Sequence, residues 1–528
     1  MELPRPAQKD KKMDFKVILL TSTSVTLELT NTEIVETKSF YNLYVNEQLV
    51  CAQERRNVIS LYQLQPDTDY EITIISKTGE SGSLKIKTDA ESICLNVKRF
   101  HAVGDGITDD TVAIQAAIMA APAYGRVFIP AGTYRVQTIF LKSHFTLELV
   151  KDATLIFAGE FYRGAILPGL TVNQAGEEYY LGSWEGNPLD SYTALLQGIH
   201  LENVKIIGEG TLDGQGENWW VSPKEKKGAW RPRLVQFIHS ANIMMQGLTL
   251  RNSPSWTLHP LFSRDLTFVD LKILNPNDSP NTDGLNPESC ENVRIIGVYF
   301  SVGDDCIAIK SGKIYLGQKL KRPAKDIVIR NCSMNFGHGA VVIGSEMAGG
   351  VKNVTVSRCS FRETDRGLRI KTRRGRGQDG RVENIRFAYI RMEKVLTPLV
   401  INCYYFCDPD GHSDYVRSKE ALPVDEKTPY LGGFAFEQIT CRECEVAGAF
   451  FYGLPEQPIE SISLRHCFFH FSENAKAGYP AMMDDIPKYC KAGFIFNNVK
   501  KIELEDVIIV GNEGERIVGN YDFTKNNC

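Results

Sequence analysis

Four short polar motifs interrupt an otherwise apolar strand pattern. They are Asn281-Thr282-Asp283-Gly284, Gly303-Asp304-Asp305-Cys306, Gly337-His338-Gly339 and Arg369-Ile370-Lys371. From Asp283 to Asp304, His338 and Arg369 the steps are 21, 34 and 31 residues. If each step is one turn of a regular repeat, three carboxylates, one imidazole and two cations gather on one face. Such a group suits glycosidic cleavage, where one carboxyl protonates the leaving oxygen and another activates water. Asp304 and Asp305 are adjacent, and Asp283 adds a third charge. Mutual repulsion should lift at least one of them well above the free value of about 4. The glycines beside His338 should let backbone and ring approach a sugar closely. Arg369 and Lys371, two apart on a strand, face the same way and suit a carboxylate on the substrate.

The elements that must position these residues form a repeat. An Asn or Asp followed by alternating β-branched residues opens at Asn203, Asn242, Asp265, Asn292, Asp326, Asn353 and Asn384. A strand-rich unit of roughly 20–35 residues with tolerated insertions predicts a solenoid. No helix-length pattern accompanies it, so the expected fold is all-β: a right-handed parallel β-helix. The Asn positions are expected in turns, where Asn tolerates a left-handed backbone and bonds its neighbours. Two stretches exceed ordinary connections. One is 158–197, with Tyr162, Tyr179, Tyr180 and Trp184; the other is Tyr404 to Gly433. Trp219, Trp220 and Trp230 are either sugar-stacking faces or packing.

Residues 1–12 read as a disordered tail and 13–90 as a separate small sandwich of short alternating strands. Its Leu64-Gln65-Pro66-Asp67-Thr68-Asp69-Tyr70 stretch resembles the tyrosine corner of fibronectin type III domains. The solenoid unit is expected over 91–528. It should open with a strand at Asn96–Phe100 and a helix capped by Thr108, with Asp109 and Asp110 in the first turn. Ile114, Ala117, Ile118 and Ala121 should form that helix's apolar face.

In this order, the four motifs resemble glycoside hydrolase family 28, the polygalacturonases. Asn252-Ser253-Pro254-Ser255-Trp256-Thr257-Leu258-His259-Pro260 and Arg366-Gly367-Leu368 add to the likeness. The resemblance covers roughly 91–520 and implies a pectin-lyase-like solenoid. It implies Asp304 as general acid and Asp283 with Asp305 as holders of the water. His338 would tune the acid, and Asn281, Lys310, Arg369 and Lys371 would contact substrate. It implies an inverting reaction without a cofactor, with carboxylates about 6.5–9.5 Å apart. Gly344-Ser345-Glu346-Met347 and Arg373-Arg374-Gly375-Arg376 look like bacterial exo-acting members. The expected partner is therefore polygalacturonate or its oligomers, cut from the chain end to galacturonate or digalacturonate. Endo action, rhamnogalacturonan or xylogalacturonan cleavage, and sugar binding without catalysis are the alternatives.

Composition limits the rest. Over 528 residues, 43% are hydrophobic and 23% charged, as expected of a large folded core. The net charge is −4, so no global field points to nucleic acid or an anionic membrane. The window 360–376 nevertheless carries +5, which suits a polyanionic sugar beside the aspartates. Thirteen cysteines, scattered through apolar segments, read as buried thiols, and Cys441 and Cys444 lack a second pair to make a metal site. No signal peptide is visible, so a cytoplasmic location is expected, or secretion with the signal removed. Oligomeric state is left open by the sequence.

Overall fold

The structure is a computed structural model and describes residues 12–158, 164–220 and 229–523. The expected tail at 1–12 and the side chain of Tyr162 lie outside these residues, Lys12 excepted. The chain divides into two compact units, Met1–Ser92 and Ile93–Cys528.

The first unit has two antiparallel sheets. One contains Phe15–Leu20, Val25–Leu29 and Val58–Leu61. The other contains Gln48–Arg56, Glu36–Val45, Asp69–Ser76 and Ser81–Lys87. Val25 and Leu27 of the first sheet meet Tyr41, Leu43, Ile72 and Ile74 of the second in one core. The Tyr70 hydroxyl accepts the Gln65 N–H at 2.8 Å, tying strand to corner across five residues.

The second unit is a parallel β-helix. Its apolar residues form a single core running from Val97 to Ile509. Parallel strands buried on one face explain the alternation seen in the sequence. All seven repeat-opening Asn and Asp residues take left-handed backbone, with φ between 52° and 58°. Their side chains link successive coils: Asn242 donates to Asn203 at 2.6 Å, Asn353 to Asp326 at 2.8 Å and Asn384 to Asn353 at 2.9 Å. This ladder satisfies turn groups that no strand partner reaches.

The opening of the unit differs from expectation. The strand ends at Asn96, and Val97–Phe100 is a 3-10 turn whose Lys98 N–H donates to the Asn96 side chain at 2.9 Å. Thr108 lies in the strand Asp105–Asp109, and the helix is Thr111–Ala120. Asp110 precedes it but does not cap it, because its carboxylate is taken by the Val103 and Gly104 N–H groups. Ile114, Ala117, Ile118 and Ala121 are buried as expected.

The 164–195 part of the first insertion folds as three nested hairpins, and the second returns to the coil at Tyr430–Leu431. No described helix is long and apolar enough to cross a membrane. The described cysteines are free; Cys441 and Cys444 Sγ atoms lie 3.0 Å apart in the core.

Candidate active site

The register of one sheet builds the site. Leu285 pairs with Ile307, Ile307 with Val341 and Val341 with Leu368. Two residues earlier on each strand, Asp283, Asp305, Gly339 and Arg366 therefore share a row. The lateral neighbour of Asp283 is thus Asp305, not Asp304, and the sequence steps only approximate the coil. A later row holds Glu288, Lys310, Gly344, Lys371 and Asn402. Arg369 stands between the rows, opposite Val342.

This placement brings every sequence-expected residue to one cavity of about 400 Å³. One oxygen from each of Asp283, Asp304 and Asp305 lies within 4.8 Å of the others. Asp283 and Asp305 are buried, at 3% and 1% exposure, whereas the Asp304 side chain is 21% exposed. Asp304 is therefore the carboxyl that opens to the cavity.

Each carboxyl has a different partner. Asp283 accepts the Asn286 amide at 2.9 Å. Asp304 Oδ1 accepts the Asp305 N–H at 3.0 Å and lies 3.2 Å from His338 Nδ1. Asp305 Oδ2 accepts the Lys371 ammonium at 2.9 Å, while its Oδ1 has no hydrogen-bond partner among the described residues. Burial and the neighbouring Asp304 charge push Asp283 well above the usual carboxylate range. Burial also penalises the Asp304 charge, but the His338 hydrogen bond and the charges of His338 and Lys371 outweigh it and hold Asp304 low. The Asp304 bond in turn lifts His338 to about 8 against the opposing cost of burial. Of the three carboxyls Asp283 is thus the one whose surroundings most favour the protonated form.

Gly337 has a role other than the one expected. Its φ is +82°, and a Cβ there would sit 2.3 Å from the Asp304 carbonyl. It is glycine so that the His338 coil can lie against the Asp304 coil. At Gly339 a Cβ would come within 2.5 Å of Val342 and 3.2 Å of Asp305 Oδ1.

The cations sort by what already holds them. Lys310 is buried against Glu346 at 3.0 Å and stands over the Trp256 ring. Arg366 gives its guanidinium to the carbonyls of Asp365, Tyr479 and Pro480. Lys371 belongs to Asp305. Among the described residues Arg369 has only the Met482 sulfur at 2.8 Å and Asp305 at 3.6 Å. A thioether is a weak acceptor, so Arg369 keeps most of its capacity for a carboxylate. Asn281 is less open than expected, since its Oδ1 takes Arg231 at 2.6 Å.

The +5 window does not face the cavity as a unit. Arg373 forms a paired contact with Asp410 at 2.6 Å, Arg374 is buried on Glu456, and Arg376 pairs with Asp408 at 2.7 Å. These arginines fasten the second insertion and are spent on its acids and on Glu456. Trp219 is buried against Tyr192, and Trp220 and Trp230 line a second cavity of about 780 Å³ that shares Asn281 with the first. The sequence reading missed Glu346, Asp408, Tyr405 and Met482 as lining residues. It also missed Arg233, held between the rings of Trp184 and Trp256 at 5.1 and 4.8 Å. The carboxylate trio has oxygens near enough to chelate a cation.

Comparison with known proteins agrees with this geometry. The family model for glycosyl hydrolases family 28 matches residues 126–414. A probable polygalacturonase of Vitis vinifera is 34% identical over 71% of this chain and 74% of its own. An exo-poly-alpha-D-galacturonosidase of Dickeya chrysanthemi is 26% identical over 67% and 65%. Among solved structures, a family 28 exopolygalacturonase of Yersinia enterocolitica superposes with a TM-score of 0.70 over 97% of this chain and 98% of its own. At 17% identity that last likeness is one of fold. With three carboxyls gathered in one cavity of a parallel β-helix, the chain belongs to glycosyl hydrolase family 28 and is a glycoside hydrolase.

Proposed function

We propose that this enzyme hydrolyses the α-1,4 bonds of polygalacturonate from the non-reducing end, releasing galacturonate or digalacturonate. The observation that carries the substrate is Arg369, a cavity-facing guanidinium held only by a sulfur and a distant Asp305 oxygen. A galacturonate carboxylate supplies the missing acceptors bidentately. Exo action is supported by the two insertions, whose Trp184, Glu185, Tyr405 and Asp408 wall the cavity.

In this reading Asp304 is the acid, since it is the most exposed of the three. Lys371 and His338 hold it ionised while the site is empty. A substrate carboxylate beside Arg369 and Lys371 offsets that field, so Asp304 takes the proton and Asp283 gives it up. The Asp304 carboxyl then protonates the leaving oxygen. Asp305 Oδ1 and the newly ionised Asp283 orient and deprotonate the water, and the attack inverts the anomeric centre.

Digestion of a defined oligogalacturonate tests this reading. Early samples should contain a single small product, and proton NMR of the fresh product should show the β-anomer first. A ladder of intermediate sizes would remove the exo assignment. An initial α-anomer would mean retention and would remove the inverting assignment.

The pH profile follows from His338. Its imidazolium partners Asp304 below about 8 and loses its charge above that value. Activity as kcat/KM should therefore fall on an alkaline limb near pH 8. The His338→Gln enzyme, which cannot titrate there, should be about 10²-fold slower and lack that limb. An unchanged alkaline limb in the variant would assign it to another group.

A further inference from the structure

We infer that Lys313 is an electrostatic clasp that joins the two insertions into one continuous wall and thereby sets how much of a chain the cavity admits. The inference rests on the exo reading above and deepens it. Lys313 lies just past the strand Ile307–Ile309, at the centre of the site sheet. Its ammonium meets Glu185 of the first insertion at 3.2 Å and Asp408 of the second at 2.8 Å. Its backbone N–H donates to the Gly186 carbonyl at 3.0 Å, and a Cβ on Gly186 would collide with that nitrogen at 2.2 Å. The hairpin tip is thus seated on Lys313 by backbone as well as charge.

The two insertions are rooted far apart. The first returns to the strand Leu196–Ile199 and the second leaves the strand Thr397–Asn402. Following the pairing through 235–238, 258–261, 285–288, 307–309, 341–344 and 366–371, these are seven strand spacings apart. At about 4.8 Å each, that is ~34 Å. Two flaps with roots so distant would move independently unless something tied them, and Lys313 is in contact with both. Asp408 is itself fixed by Arg376 at 2.7 Å and Arg373 at 3.4 Å. Arg376 also donates to the Ser345 carbonyl at 2.6 Å, beside Glu346 in the cavity. The Lys313 and Asp408 side chains are only 12% and 7% exposed, so salt screens this contact less than a surface pair. Lys313 contacts no reacting carboxyl, and its effect on catalysis is through position of the wall.

Lys313→Ala should open the wall. From a defined oligogalacturonate the wild-type chain should give one small product, and Lys313→Ala should give intermediate sizes. Lys313→Arg, which keeps the charge, should restore the single product. If the wild-type chain itself gives a ladder, the exo reading falls and the clasp with it. If the wild-type product is single and Lys313→Ala still yields only that product, the exo reading stands and the clasp is overturned. Should the variant turn over too slowly to show products, amide hydrogen exchange decides. Exchange in 164–195 and 404–429 should be about tenfold faster or more than in the wild-type chain; unchanged exchange in both segments overturns the inference.

Discussion

Replacing Asp304 with Asn should lower kcat by about 10³-fold or more while KM stays within a few-fold, because the lost group acts in the proton-transfer step. Asn is the informative substitution. Its carbonyl oxygen can still accept the Asp305 N–H now held at 3.0 Å, and the His338 contact at 3.2 Å can persist. Folding should therefore survive, and calorimetry should still detect oligogalacturonate binding. The outcome also separates an enzyme from a sugar-binding solenoid, for which the wild-type chain would bind without turnover. A variant that kept more than a tenth of wild-type kcat would move the acid role to Asp283. That outcome has a physical basis, since burial and the Asp304 charge favour a proton on Asp283. It would require the buried carboxyl to reach the leaving oxygen past the exposed one.

Much of the fold was readable because the solenoid writes one structural unit many times. Seven Asn or Asp residues each marked a left-handed turn, and each turned out to be one. A period repeated over hundreds of residues averages out local ambiguity. The single events at the start of the unit did not have that advantage. Thr108 satisfied a helix-capping pattern, but Asp110 was drawn instead to the Val103 and Gly104 amides, and the helix started later. Spacing alone could not reveal that competition.

The catalytic cluster was readable for a related reason. Coils of similar length stack residues that are distant in sequence, so the four motifs had to converge. Their register was less accessible, because an insertion or bulge in any coil shifts it by a residue. Hence Asp305, not Asp304, lies beside Asp283. What the sequence could not disclose is how charge is spent. Arg373, Arg374 and Arg376 look like a binding patch as a string of letters. Their acids, Asp410, Glu456 and Asp408, are 32 to 82 residues away and carry no local signal. A charge run becomes a fastening only when the fold supplies its partners. Met482, which leaves Arg369 under-bonded, is likewise 113 residues distant in sequence and has no polar signature.

The two cations of the last motif should therefore fail in different ways. Arg369→Gln removes a guanidinium that is nearly idle in the empty site and engaged in the complex. Its loss should raise KM by about 10–100-fold, the factor for a charge-assisted hydrogen bond of about 1.5–3 kcal/mol, with kcat little changed. The preference for free over methyl-esterified galacturonate should shrink in the same proportion, since an ester offers Arg369 no charge to pair. Lys371→Met acts on the enzyme itself. Lys371 is buried with Asp305 at 2.9 Å, and removing it leaves a buried carboxylate without its main counter-charge. Asp305 then keeps only the more distant Arg369, at 3.6 Å, among the described residues to offset its burial. The same loss removes one of the charges that hold Asp304 low. The expected result is a fall in kcat of about 10²-fold or more, together with a lower melting temperature. Steady-state kinetics on both variants, with free and esterified oligomers, separates the cases. If Arg369→Gln lowered kcat with KM unchanged, the substrate carboxylate would have to bind elsewhere. If Lys371→Met raised only KM, Lys371 would be a substrate contact and not the counter-charge of Asp305.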